Sequence, residues 1–65
     1  MPPKIRKLKS DLSRAGFKRL SAKGSHTKWI HSRDPTVFVN LSGKDGDDAK
    51  PYQIDDVREA LRKVD

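Results

Sequence analysis

Apolar residues recur at helical spacing near both ends of this chain, and between those ends the pattern changes to that of short strands. Ile5, Leu8, Leu12 and Ala15 follow one another at steps of three and four, which puts them on one stripe of a helix. Ile54, Val57, Leu61 and Val64 form a second stripe of the same kind. A three-stranded sheet must bury one face, and two amphipathic helices laid on that face bury it. The pattern therefore predicts one α+β domain over residues 1–65, ordered helix, three strands, helix, with both helices on one face of an antiparallel sheet.

The first helix is expected over about residues 3–15, with Pro2 or Pro3 in its first turn and Gly16 as the left-handed residue that ends it. Phe17 to Ala22 reads as a strand whose apolar members are Phe17 and Leu20, and Lys23-Gly24-Ser25 reads as a tight turn. His26 to His31 is a second strand, closed by Asp34-Pro35, and Thr36 to Leu41 is a third. Ser42 to Pro51 reads as a mobile, polar connector whose glycines do not match a phosphate-cradling loop. The second helix is expected over about residues 52–63, with Asp55 and Asp56 near its start and Arg62 and Lys63 near its end, as suits the helix dipole.

A 65-residue chain has a small core, and this one has no cysteine with which to staple it. His26 and His31 alone do not make a metal cage, so neither a metal nor a cofactor is expected. No apolar run approaches the roughly 20 residues that span a bilayer, and the basic N-terminus lacks the apolar segment of a signal peptide. Neither an anchor nor a membrane partner is expected.

The net charge of +6 is unevenly distributed. Residues 1–33 hold ten Lys or Arg and one acid, for +9, and residues 34–65 hold five basic and eight acidic residues, for −3. A basic half of this kind suits a phosphate backbone. From the residues alone, three functions stay open: an RNA-cleaving enzyme, a non-catalytic RNA-binding module, and a basic face for an acidic protein partner.

Gly16-Phe17 after a basic amphipathic helix, Gly24-Ser25-His26 opening a strand, and the aromatic Trp29 within that strand together resemble the HicA toxins, the YcfA-like proteins. Lys50-Pro51-Tyr52-Gln53, leading into the second helix, is similar to members of that family too. The resemblance spans nearly the whole chain. It implies a fold like the double-stranded-RNA-binding domain, with Asp55 and Asp56 standing where long-duplex binders carry lysines. It also implies a metal-independent mRNA interferase (a cytoplasmic endoribonuclease) acting as the toxin of a type II toxin–antitoxin module. The partners implied are mRNA and a HicB-like antitoxin, with a monomer when the antitoxin is absent, and the catalytic residue is His26.

The chemistry suits the residue. RNA carries its own nucleophile, the 2′-OH, so an enzyme need only move protons and stabilise charge on phosphorus. Imidazole ordinarily titrates at about 6.5, close to working pH. Along the second strand His26, Lys28 and Ile30 share one face, and Thr27, Trp29 and His31 share the other. Trp29 belongs to the core, so His26 and Lys28 are expected on the open face and His31 is expected to be structural or exposed. Lys23 and Lys28 are expected to hold the phosphate, Gly24 to let the backbone approach it, and Ser25 to hydrogen-bond the phosphate or the imidazole.

Overall fold

The computed structural model describes the backbone of residues 1–65 and every side chain but that of Ser21. Its elements run α1 (Ile5–Arg14), β1 (Phe17–Lys23), β2 (His26–His31), β3 (Phe38–Ser42) and α2 (Pro51–Lys63). The strands form an antiparallel sheet in the order β1-β2-β3. Ile5, Leu8 and Leu12 of α1 and Val57 and Ala60 of α2 meet Phe17, Trp29, Val39 and Leu41 in one core. Both helices thus cover the same sheet face, as the apolar stripes require. Ile54, Leu61 and Val64 complete the α2 stripe at the margin of that core.

Strand β2 shows the expected two-sidedness. Thr27, Trp29 and His31 are buried, while His26 is exposed and Lys28 and Ile30 are half-buried. The polar groups on the buried side have partners: Trp29 Nε1 donates to Thr27 Oγ1 at 3.0 Å, and Thr27 Oγ1 donates to the Leu41 carbonyl at 3.4 Å. His31 lies beneath the sheet, 5% exposed. Its Nδ1 accepts the backbone N–H groups of Arg33 and Asp34, each at 3.2 Å, and its Nε2 lies 3.0 Å from the Ala15 carbonyl. An acceptor at Nδ1 leaves the proton on Nε2, which donates to that carbonyl. Of the two roles expected for this residue, the structural one holds.

Several boundaries move, each for a local reason. Helix α1 begins at Ile5, because the Pro3 carbonyl turns aside to accept the Ala49 N–H at 2.8 Å. Thr36 belongs to the turn before β3, since its N–H and hydroxyl both go to the Asp34 carboxylate. Asp55 and Asp56 lie beyond the first turn of α2 and do not cap its dipole. That end is closed instead by buried Gln53, whose Oε1 accepts the Lys50 N–H at 2.8 Å and whose Nε2 donates to the Ser42 carbonyl at 2.8 Å.

Leu20 is not an apolar member of β1; it is 61% exposed. Arg19 pairs with Trp29 and Ser21 with Lys28, so Leu20 is the unpaired residue of a β-bulge. The bulge has a consequence at the open face. Strict alternation from buried Phe17 would send Lys23 to the core side. The extra residue reverses the phase, and Lys23 pairs with His26 and shares its face.

The connector after β3 is not a loose loop. Helix α1 has no side-chain cap and no acid in its first turn. Its orphan N–H groups are met by this segment: Ile5 donates to the Asp47 carbonyl at 2.9 Å and Arg6 to the Asp45 carbonyl at 3.1 Å. Lys4 bonds Asp48 at 2.5 Å and Lys9 bonds Asp45 at 2.6 Å. The hydrogen bond from Lys9, reinforced by its charge, holds the Asp45 carboxyl below its ordinary value of 3.8. A carboxylate lowered in this way contributes its stabilisation above the unfolded value and loses it as pH falls through the folded one. Acidification below about pH 4 is therefore expected to loosen residues 44–48 from α1. Amide shifts of Ile5 and Arg6 followed through an acid titration check this, and Asp45→Asn should remove that transition.

Candidate functional site

The open face of the sheet carries cations and no acid. By register Lys18 lies beside Ile30, Lys23 beside His26, and Lys28 beside Asn40, and no strand residue is Asp or Glu. On α1 most of the positive charge is answered. Lys4, Lys7, Lys9 and Arg14 each meet a carboxylate of α1 or of the connector, so the basic face expected for the first helix is mostly neutralised. Lys18, Arg19, Lys23 and Lys28 have no carboxylate within ion-pair distance among the described residues. Six cations of residues 1–33 have no carboxylate partner among the described residues: these four, which stand on β1 and β2, and Arg6 and Arg33.

Two-residue turn Gly24-Ser25 joins those strands. Gly24 has φ +60° and Ser25 does not enter the left-handed region, the arrangement of a type II′ hairpin. The turn sets the Lys23–His26 pair at the end of the sheet, where β3 pairs Ser42 with His26. Helix α2 runs past β3, held there by Gln53, and brings two more side chains to this corner. The result is a depression of about 440 Å³ whose wall includes Lys23, His26, Lys28, Asn40, Tyr52 and Asp56. Lys28 Nζ also lies 4.9 Å from the ring centre of exposed Phe38, a cation–π contact.

Of the five residues expected at a site, the structure brings together Lys23, His26 and Lys28. Gly24 and Ser25 face a separate hollow, with Lys9, Arg19 and Lys44. Ser25 makes no hydrogen bond to the imidazole; its carbonyl accepts the Gly43 N–H at 3.2 Å. His31 is on the other side of the sheet and does not reach the depression. Among the described residues, no group of three or more His, Asp or Glu side chains is placed to hold a metal ion, and no helix is long and apolar enough to cross a membrane.

Asn40, Tyr52 and Asp56 belong to the depression, and sequence reasoning did not find them. Tyr52 and Asp56 lie four residues apart on one side of α2, off its apolar stripe. Nothing local marks them as facing His26; that depends on where α2 crosses β3. Asp56 has a further distinction. Of the nine acidic side chains, it and the C-terminal Asp65 alone have no hydrogen-bonded or ionic partner among the described residues.

Compared with known proteins, the chain matches no family, no curated protein and no solved structure. Its chemistry is therefore argued from the corner itself. An exposed imidazole between two unpaired ammonium groups can bind a phosphodiester and move a proton to or from it.

Proposed function

We propose that this protein is an endoribonuclease that cleaves RNA through its own 2′-OH. The observation that carries the reading is exposed His26 flanked by Lys23 and Lys28 on an acid-free strand face. The two ammonium groups hold a phosphodiester and offset the extra charge of the phosphorane. The 2′-oxygen loses its proton and attacks phosphorus, the bond from phosphorus to O5′ breaks, and O5′ takes up a proton. His26, exposed beside Lys23, is assigned one of these transfers. The products are a 2′,3′-cyclic phosphate and a 5′-hydroxyl.

The order α-β-β-β-α, with both helices on one sheet face, supports assigning the domain to the double-stranded-RNA-binding-like arrangement. Together with the Gly-Ser-His turn it supports a HicA-like role: a cytoplasmic mRNA interferase toxin of a type II module, monomeric until a HicB-like antitoxin covers the His26 corner.

Purified protein incubated with unstructured RNA tests the reading. Cleavage with cyclic-phosphate ends is expected without added metal, and binding is expected to weaken as salt rises. Lys23→Gln and Lys28→Gln should each lower affinity across RNA sequences and reduce the salt slope by about one phosphate's worth. Binding without cleavage, or ends bearing a 5′-phosphate, overturns the proposal.

A further inference from the structure

Cleavage by 2′-OH attack needs two proton transfers, one from O2′ and one to O5′, and these oxygens lie on opposite sides of phosphorus during in-line displacement. One imidazole serves both only by moving or by acting in turn. The charged and titratable groups that face the depression are Lys23 from β1, His26 and Lys28 from β2, and Tyr52 and Asp56 from α2, while β3 contributes neutral Asn40. Of these, Lys23 and Lys28 are placed to hold phosphate. Asp56 is the one carboxylate of the corner.

Asp56 differs from the other acids of the folded domain. Asp11 is held by Lys7 and Arg14, Asp45 by Lys9, Asp48 by Lys4 and Glu59 by Arg62. Asp56 is exposed, has no such partner, and is presented to the depression by α2. Its position is set from below. Gln53, one turn earlier, is buried and hydrogen-bonded to Ser42, the residue paired with His26. The helix that carries Asp56 is thereby fastened to the strand position that adjoins the imidazole.

We propose that Asp56 is the second proton-transfer residue of the site: the general base that takes the 2′-OH proton, with His26 the general acid that protonates O5′. This rests on the ribonuclease reading above. The assignment of roles follows from the side-chain types. An ionised carboxylate accepts a proton and has none to give. The acid role then falls to imidazole, the side chain most often used to give or take a proton in catalysis. The step balances. The O2′ proton passes to the Asp56 carboxylate, the O2′–phosphorus bond forms, the phosphorus–O5′ bond breaks, and the departing oxygen takes the proton of imidazolium. Water later restores both groups to their starting forms.

A substrate with a bridging sulfur in place of O5′ separates the two roles, because a thiolate leaves without being protonated. Wild type, Asp56→Asn and His26→Ala are each given an ordinary RNA oligonucleotide and its 5′-thio analogue. On ordinary RNA, Asp56→Asn is expected to lower kcat by about 10²–10⁴-fold with little change in KM. On the thio analogue His26→Ala is expected to regain most of its lost rate and Asp56→Asn is not. Circular dichroism of Asp56→Asn should match wild type, since the side chain holds nothing in the fold. Full activity of Asp56→Asn overturns the proposal, as does rescue of Asp56→Asn, and not of His26→Ala, by sulfur. If wild type cleaves neither substrate, the ribonuclease reading fails and this role goes with it; active wild type with active Asp56→Asn removes this role alone.

Discussion

Replacing His26 by alanine is expected to abolish RNA cleavage while leaving the fold and most of the RNA affinity in place. The ring is exposed at the first residue of β2, and among the described residues it makes no hydrogen bond. Its removal opens no cavity and orphans no buried group, so the cost in stability should stay within about 0.5 kcal/mol, as for an ordinary surface change. The cost in rate is of another order. A positioned proton-transfer group contributes about 10²–10⁴-fold, so the variant should fall to or below the detection limit of an ordinary gel assay. In the proposed reaction, binding is assigned to the charge on Lys23 and Lys28, which the substitution leaves untouched. Cleavage of a labelled oligonucleotide, filter binding at two salt concentrations and a thermal melt, run side by side on wild type and variant, check all three. Retained cleavage moves the chemistry away from this corner. Loss of binding and melting together makes the residue structural and removes the catalytic reading.

The two faces of β2 were legible because that strand is read by alternation alone. His-Thr-Lys-Trp-Ile-His puts the large indole on one side, and that choice places His26 and Lys28 on the other. The helices were legible for the same reason, since a stripe of Ile5, Leu8 and Leu12 needs no knowledge of its partner. What escaped depends on contacts between distant parts of the chain. Leu20 reads as a strand residue, and only its pairing shows that it bulges out and shifts Lys23 onto the open face beside His26. The connector reads as solvated because it is polar, yet its carbonyls and carboxylates supply the cap and counter-charges that α1 lacks. That docking joins residues 36 and 44 apart in sequence, and no local pattern encodes it. Tyr52 and Asp56 were read as the opening of a helix. Their place beside His26 follows from Gln53, an unremarkable polar residue in sequence that is buried in the fold.

The other histidine should show the opposite behaviour. His31→Ala is expected to destabilise the domain by about 3–5 kcal/mol, the range for truncating a large buried ring. The ring is 5% exposed and meets Phe17 edge-on, with centroids 5.0 Å apart. It also joins three segments. Nε2 holds the Ala15 carbonyl at the end of α1, and Nδ1 holds the N–H groups of Arg33 and Asp34 in the turn toward β3. Gly16 is shaped around it, since a Cβ there would stand 3.1 Å from Nε2, on a residue whose φ of +98° already favours glycine. Truncation therefore leaves a void and removes the partner of three backbone groups at once. A single core in a chain under about 70 residues supplies only ~3–5 kcal/mol, so His31→Ala should be largely unfolded at room temperature. His31→Phe separates the two contributions: it restores the volume and not the hydrogen bonds, and should recover part of the loss. Urea denaturation of the three proteins reads the result. If His31→Ala melts with wild type, the ring does not join these segments. If it stays folded and only cleavage is lost, the catalytic imidazole lies on the wrong face of the sheet, and the corner built around His26 is not the active site.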